Sequence, residues 1–229
     1  MHERGDTSTL DPTASTMYLP AHFSETRPEV LRAFVREHPL GLLVTQNRSG
    51  GIDANSVPFV LDADGDAPGV LRAHVARANP LWQNARDDVD ALVVFQGPHG
   101  YVSPGWYPSK ATHGKVVPTW NYVMVQARGR LRAIEDSAWL RQFVGRLTEQ
   151  YESTRAAPWA VEDAPPDFID AMLRAIVGIE ITLTSLVGKW KVSQNRSADE
   201  RAGVVEGLVR ERGDEALAAL VRDADRGGA

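Results

Sequence analysis

Hydrophobic and polar residues alternate with a period of two in several short segments of this chain. This period is typical of half-buried β-strands. Between the segments lie stretches rich in Asn, Asp, Gly and Ser, at 47–51 and 62–69, which have the composition of hairpin turns. The pattern predicts strands at 40–45, 52–61, 70–75, 91–96, 119–134 and 176–186.

A second periodicity, with apolar residues three and four positions apart, predicts helices around these strands. Thr26 and Glu29 have the spacing of a capping box, and the helix that follows should end before Pro39. Asp136 or Ser137 is expected to cap a later helix. The buried face of that helix carries Trp139, Leu140, Phe143, Val144 and Leu147. Further helices are predicted at 81–86, 167–175 and 197–224.

Short strands joined by hairpin turns favour an antiparallel barrel with peripheral helices, which is a mainly β fold of the α+β class. A doubly wound parallel sheet is disfavoured because helices do not alternate with strands across 40–96. At 229 residues, 43% of them hydrophobic, the chain fits one large domain or one domain with extensions. We predict a disordered tail at 1–16, a main domain at 17–196 and a C-terminal helical extension at 197–229.

The segment 95–122 concentrates aromatic residues in a stretch broken by prolines. It holds six of the 17 Phe, Trp and Tyr residues of the chain, together with Pro98, Pro104, Pro108 and Pro118. This density of proline excludes a long helix and a central strand, and a solvated linker would not expose so many rings. We therefore predict a folded loop system between two strands. It forms a binding site for a flat ligand, a subunit interface, or both.

Composition narrows the possible functions. The formal net charge of −5 disfavours direct binding to DNA, because nucleic-acid binders usually present a basic face. The absence of cysteine excludes disulfides and thiolate chemistry and fits a reducing cytoplasm. No apolar run approaches the roughly 20 residues that a membrane span needs. The polar first segment, 1–16, does not resemble a secretion signal. We therefore expect a cytoplasmic protein without a membrane segment.

Lysine is scarce and clustered. The chain has 25 Lys and Arg residues, but its only lysines are Lys110, Lys115, Lys189 and Lys191. If the segment that follows the last predicted strand is extended, Lys189, Lys191 and Ser193 share one face. Two ammonium groups there could hold a phosphate or a reduced, anionic ring. The alternative is a solvated strand end.

A second candidate binding segment lies at 74–80, where a predicted strand leads into a predicted helix. Arg77 in this segment has the setting of a phosphate site, with free backbone N–H groups beside a guanidinium fork. The alternative is that Arg77 points to solvent. His74, His99 and His113 lack a tight metal-binding spacing, and no nucleotide-loop or hydrolase motif appears.

Several motifs closely resemble the PaiB family of bacterial proteins, which are described as FMN-binding negative transcriptional regulators. The motifs are MYLPAHF at 17–23, HVARANPLW at 74–82, GPHGYVSPGWYPSK at 97–110, KVVPTWNY at 115–122, IVGIE at 176–180 and GKWKVSQNR at 188–196. The resemblance covers about residues 17–210. It implies a split-barrel flavin-binding fold related to pyridoxamine-phosphate oxidases, and a homodimer with FMN at the subunit interface. It also implies a link to repression of sporulation and secreted-protease genes.

The resemblance further implies a set of cofactor-binding residues. Arg77 would hold the FMN phosphate, and Lys115, Lys189 or Lys191 would add charge because alanines stand where the oxidases often have Ser and Lys. Trp106 and Trp120 would flank the isoalloxazine ring. No catalytic residue and no metal ligand is assigned. The full predicted set is Ser56, His74, Arg77, Asn79, Gln96, Tyr101, Ser103, Trp106, Lys115, Thr119, Trp120, Asn121, Lys189, Lys191 and Gln194.

One departure from the family pattern concerns residues 55–58, which read Asn-Ser-Val-Pro where a His-Leu-Pro pattern is usual. Any role of that histidine therefore does not carry over. Three hypotheses remain open. The chain is a regulator whose flavin senses redox state for a partner or DNA, a flavin reductase or oxidase of a small substrate, or a haem-binding split barrel with a His ligand.

Overall fold

A computed structural model describes residues 17–65 and 67–224. Its strands are β1 (Ser24–Glu25), β2 (Leu40–Gln46), β3 (Ile52–Pro58), β4 (Val60–Asp62), β5 (Val70–Ala76), β6 (Ala91–Val102), β7 (Thr119–Ile134) and β8 (Ile176–Lys191). They form one antiparallel sheet in the order β3-β2-β6-β7-β8-β5-β4, and β1 also pairs with β8. The antiparallel sheet confirms the predicted fold class. The predicted tail at 1–16 lies outside the described residues.

The helices surround this sheet, as the second periodicity predicts. They are α1 (Pro28–Glu37), α2 (Leu81–Asn84), α3 (Ser109–Thr112), α4 (Ser137–Glu152), α5 (Pro166–Arg174), α6 (Ala198–Arg212) and α7 (Glu215–Arg222). Asp136 caps α4 by accepting a hydrogen bond from the Trp139 N–H. The predicted capping box of the first helix is wrong. Arg27 is its N-cap residue and makes no side-chain cap, because Pro28 already sets the first helical turn.

Three predicted strands have different lengths in the structure, and one of them, predicted at 176–186, continues to Lys191 as β8. The strand predicted at 52–61 divides into β3 and β4 at Phe59, whose N–H donates to the Pro39 carbonyl at 2.9 Å instead of joining the sheet. β6 continues through Pro98 to Val102, with a register shift between Gln96 and His99. Such a bulge accommodates a proline because the extra residues need no ladder partner. The predicted end of this strand at residue 96 is therefore wrong, and the loop between β6 and β7 is the shorter connection 103–118.

The inward face of the sheet forms the main hydrophobic core. Leu43, Phe95, Val125 and Ile179 come from β2, β6, β7 and β8, and none of them is exposed. The helices α6 and α7 join the same core through a group of fully buried residues, which are Val204, Leu208, Leu217, Ala218 and Val221. The predicted C-terminal helical extension therefore packs on the sheet through these residues. Within the described residues, no helix combines the length and apolarity needed to cross a membrane.

Candidate functional site

The face of the sheet that points away from the core carries several aromatic residues of segment 95–122. Because β6 continues past its bulge, Tyr101 lies opposite Trp120 and His99 lies opposite Tyr122. The His99 ring stacks on the Trp120 ring with 6.1 Å between centroids and 25° between planes. Tyr101 contacts Trp120 edge-on at 6.2 Å. Trp120 and Tyr101 are 48% and 40% exposed, so these rings form a surface rather than a core.

A cleft of about 410 Å³ opens beside these rings, and we call it the aromatic cleft. It is lined by Gln96, Gly97, His99, Trp120, Tyr122, Val123 and Met124. Two of the predicted site residues, Gln96 and Trp120, therefore share one cavity. Its volume is that of a small-molecule site, and its flat rings with few polar groups are typical of sites for planar ligands.

Lys189 borders the aromatic cleft from β8. It lies opposite Met124 in the strand register and is only 7% exposed. Its Nζ donates to the Tyr18 carbonyl at 2.7 Å. The same ammonium lies 5.4 Å from the centroid of the Tyr18 ring and 5.6 Å from that of Tyr122, both within cation–π range. Its contacts are thus neutral groups.

Lys191 lies two residues further along β8, on the same face. It is opposite Tyr122, and its Nζ donates at 2.6 Å both to Thr119 Oγ1 and to the Trp120 carbonyl. Burial lowers the pKa of Lys191, and the nearby positive charges of Lys189 and Arg196 lower it further. Lys189 is buried and Lys191 is half-buried, so this pair does not form the fully solvated strand end of the predicted alternative.

The end of β8 is fixed by a buried polar pair. Asn121, which points away from the aromatic cleft, donates from Nδ2 to Ser193 Oγ at 2.9 Å. Ser193 has a φ of 69°, the left-handed region that residues other than glycine seldom adopt. Gln194 closes the turn by accepting from the Val192 N–H at 2.8 Å and donating to the Trp190 carbonyl at 2.5 Å. Asn121 and Gln194 therefore support the site from behind, and Ser193 does not share a face with the two lysines.

The connection 103–118 places three predicted site residues outside the aromatic cleft. Ser103 accepts from the Gly105 N–H at 3.1 Å and begins a short 3-10 turn. Trp106 is buried against Gly207 of α6. Lys115 is exposed. Trp106 therefore holds α6 on the domain rather than lining the cleft.

Arg77 lies at the end of β5 and is fully engaged within the chain. Its Nη1 donates to Glu135 at 2.5 Å, its Nε to the Arg174 carbonyl at 2.8 Å and its Nη2 to the Ile176 carbonyl at 3.2 Å. The guanidinium also lies 5.7 Å from the Trp82 ring. A phosphate at Arg77 would have to replace the contact with Glu135. The phosphate role of Arg77 stays a prediction.

The other predicted site residues from this part of the chain, His74, Asn79 and Ser56, do not share the contacts of the Arg77 guanidinium. His74 packs edge-on against Phe143 at 6.0 Å, and burial lowers its pKa. Asn79 donates from Nδ2 to Asn55 Oδ1 at 3.0 Å and so joins the start of α2 to β3. Ser56 is exposed on β3, at the outer edge of the sheet.

The two positively charged groups of the predicted site lie at opposite ends of β8. The Arg77 N–H donates to the Ala175 carbonyl, just before β8 begins, whereas Lys189 and Lys191 stand at its other end. A strand rises about 3.3 Å per residue, so the 13 steps from Ile176 to Lys189 span roughly 40 Å along the strand. Within one chain, Arg77 and these lysines therefore cannot hold the same phosphate.

Five residues that line the cleft were not in the predicted set: Gly97, His99, Tyr122, Val123 and Met124. Along the strand predicted at 119–134, alternation places Tyr122 and Met124 on the face away from Val123 and Val125. That pattern could have indicated that Tyr122 and Met124 face a common surface. His99 had no such signal, because Pro98 hides the continuation of β6. Among residues 17–65 and 67–224, no group of three or more His, Asp and Glu side chains could hold a metal ion.

Comparison with known sequences gives a consistent picture. Residues 17–185 match a family model described as "Putative FMN-binding domain". The chain is 32% identical over 209 residues to "Protease synthase and sporulation protein PAI 2" of Bacillus subtilis, covering 90% of this chain and 97% of that protein. It is 34% identical over 256 residues to an uncharacterized protein of Aspergillus fumigatus, covering 86% of this chain and 98% of that protein.

Solved structures share the fold at much lower identity. The flavocytochrome Anf3 of Azotobacter vinelandii superposes with a TM-score of 0.54 at 14% identity, covering 78% of this chain and 74% of that one. The FAD and heme binding protein of Mycobacterium smegmatis gives a TM-score of 0.53 at 18% identity, covering 77% of both chains. These similarities show that the antiparallel sheet has the split-barrel fold.

Proposed function

The chain belongs to the FMN-binding domain family matched at residues 17–185, and from this premise we propose that it is a homodimeric flavoprotein that reports the redox state of bound FMN to a partner. The aromatic cleft with its two enclosed lysines is the observation that carries this proposal. Its rings suit a flat isoalloxazine, and its ammonium groups suit an anion. FMN supplies electron transfer when it is bound, and the protein supplies binding and orientation.

The homodimer is supported by an apolar surface on the outward face of the sheet. Ile52, Leu40 and Leu42 of β3 and β2 are 76%, 62% and 42% exposed, and the partly exposed Val94 lies beside Leu42. A contiguous apolar face of this kind is typical of subunit interfaces. A two-fold partner would also offer a second set of cations to each cleft, which one chain cannot supply because Arg77 lies at the far end of β8.

Leu42→Lys should convert the dimer into a monomer, because it places a charge in the apolar face. Phe168→Lys is a matched control, since Phe168 is an exposed residue on α5, outside this sheet. Sedimentation velocity measures the oligomeric state of both variants. A wild-type monomer, or a dimer that survives Leu42→Lys, would contradict the proposed interface.

A regulatory role that does not use direct DNA binding is supported by the net charge of −5 and by the name of the Bacillus subtilis relative. A flavin-dependent oxidoreductase is the second candidate. It is favoured by the exposed imidazole of His99 at the mouth of the cleft, where a small substrate could reach it. NAD(P)H oxidation with and without FMN separates the two candidates. A shift assay at several salt concentrations tests DNA binding.

FMN titration tests the cleft itself. Trp120→Ala should weaken FMN binding about tenfold, because stacking on an aromatic side chain is worth ~1–3 kcal/mol. Phe168→Ala, which removes an exposed ring elsewhere, should leave the dissociation constant unchanged. Flavin fluorescence and the absorption spectrum measure binding and would also reveal haem. A wild-type protein that takes up no FMN would refute the proposal, as would equal affinities of the Trp120→Ala variant and the wild type.

The phosphate role of Arg77 needs its own comparison. Arg77→Ala should weaken binding of FMN but not of riboflavin, which lacks the phosphate. Glu135→Ala frees the Arg77 guanidinium from its ion pair and should strengthen FMN binding. If neither variant changes the ratio of FMN to riboflavin affinity, Arg77 does not contact the phosphate.

A further inference from the structure

Within residues 17–65 and 67–224, no acidic side chain pairs with the buried Lys189 or the half-buried Lys191. Their described contacts are two backbone carbonyls, one hydroxyl and aromatic rings. The chain has 30 Asp and Glu residues, and the partly buried Arg72 contacts two of them, Asp62 and Glu180. Burying a charge is costly unless a counter-charge is present. The lysine pair therefore has the electrostatics of a site for an anion.

The position of the lysines indicates which anion they face. Lys191 is in register with Tyr122, and Lys189 is in register with Met124, so each ammonium lies one strand away from the floor of the aromatic cleft. Neighbouring strands are about 4.8 Å apart. A flat ring on this floor would therefore present its edge to the lysines, whereas a phosphate would lie at the end of a chain leading away from the ring.

The choice of residue type points the same way. The chain uses Arg for 21 of its 25 Lys and Arg residues, 25 less the four lysines, yet both cations at the cleft are Lys. Arg is the better partner for phosphate because its fork binds two oxygens. The ammonium of Lys is a compact point charge, so it is better suited to the edge of a flat ring on which negative charge develops.

The chain also fixes one of the ammonium groups in advance. Lys191 is tied to Thr119 and to the Trp120 carbonyl, and the strand then ends at the left-handed Ser193, which Asn121 holds in place. A backbone in this region costs of order 1–3 kcal/mol and persists where the surroundings require it. Preorganised charges of this kind stabilise charge that develops on a ligand.

We propose that Lys189 and Lys191 hold the anionic edge of the reduced flavin ring, so that this chain binds reduced FMN more tightly than oxidised FMN. This proposal rests on the proposed function, and it adds that the protein favours the reduced form of the bound flavin. The oxidised ring is neutral and gains little from the lysines. For a two-electron couple, each tenfold difference in affinity between the two forms raises the midpoint potential of the bound flavin by about 30 mV.

The test is a redox titration of the FMN-loaded dimer carrying Lys189→Met, Lys191→Met or both. Each substitution should lower the midpoint potential by about 30 mV, a tenfold loss of affinity for the reduced form, and should change the dissociation constant of oxidised FMN by less than about threefold. Lys110→Met is the matched control, because Lys110 is exposed in the connection 103–118 and is not in the predicted cofactor-binding set. It should leave the potential unchanged. Lys191→Arg keeps the positive charge, so its midpoint potential should stay closer to that of the wild type than the midpoint potential of Lys191→Met.

Two outcomes overturn the proposal. One is an unchanged potential in the double variant. The other is a loss of FMN affinity with riboflavin affinity intact, which would place the phosphate at the lysines instead. Failure of the proposed function looks different, because the wild type would then bind no FMN before any substitution. Thermal unfolding of the unloaded variants checks their folding. Lys189→Met should unfold no earlier than the wild type, since it removes an uncompensated buried charge.

Discussion

Replacing Gly207 by Ala should destabilise the protein, although the same change in most helices stabilises it. Gly207 lies in α6, where an added Cβ would stand 2.5 Å from Trp106 Cγ and closer still to Cδ2 and Cε2. Trp106 is 9% exposed and cannot move away without disturbing the core. Gly145 in the middle of α4 is the matched control, because an added Cβ there meets no atom within 4 Å.

The magnitudes follow from two opposing effects. Ala in a helix interior is favoured over Gly by about 0.5–1 kcal/mol. Overpacking costs typically about 1–3 kcal/mol, and three rigid ring atoms at Gly207 place the cost at the upper end. The expected net loss for Gly207→Ala is about 2 kcal/mol, whereas Gly145→Ala should gain about 0.5–1 kcal/mol. For a chain of this length, 1 kcal/mol shifts Tm by roughly 2–4 °C.

Thermal unfolding followed by far-UV circular dichroism measures both variants without FMN. Gly207→Ala should melt about 4–8 °C below the wild type, and Gly145→Ala slightly above it. Tryptophan fluorescence should change in Gly207→Ala alone, because only that substitution displaces an indole. If Gly207→Ala melts at or above the temperature of Gly145→Ala, α6 does not sit on Trp106 and the assignment of Trp106 to the helix interface is wrong.

Two further expectations concern charge and pH. Burial lowers the pKa of His74, so the unfolded chain takes up a proton first and the free energy of unfolding should fall as pH drops from 7 to 5. His74→Phe should flatten that dependence in urea titrations. Burial raises the pKa of Glu180, but hydrogen bonds from Arg72 and Arg132 outweigh it and lower the pKa overall. Its stabilisation is therefore lost as pH falls below about 4.5. Glu180→Gln should cost about 2 kcal/mol at pH 7, because the two arginines lose their shared carboxylate. Glu135→Gln, in a more exposed pair, should cost under about 1 kcal/mol.

Most of the fold could be predicted from the sequence because its signals are local. The alternation in β2, β5 and β7 and the helical spacing in α4 reflect which side chains face the core, and neighbouring residues fix that choice. The continuation of β6 through Pro98 could not be predicted, because a bulge tolerates a proline that a regular ladder would reject. β8 reaches Lys191 for a similar reason, since its tertiary partners decide its length.

The candidate site was only half predictable. Trp120 and the lysine pair could be proposed from the sequence because aromatic and lysine residues are rare enough to stand out in it. Trp106 appeared equivalent to Trp120, and only the packing of α6 separates them. Sequence motifs also carry no distances. The Arg77 segment and the lysine segment therefore appeared to be one site, although β8 holds them at its two ends.

The irregularity of β8 opposite Arg128 and Gly129 sets a limit on how this chain can evolve. The register shifts there by one residue. As a result, odd-numbered residues of β8 face the core before Thr184, and even-numbered residues face it after Thr184. Inserting or deleting one residue between this point and Lys189 would turn both ammonium groups into the barrel interior and bring Trp190 out to the cleft. The exposed part of the connection 103–118, at 110–115, belongs to no strand, so a change in its length would not turn any strand over. Variation in length is therefore expected there, whereas the spacing along β8 must stay constant or change by two.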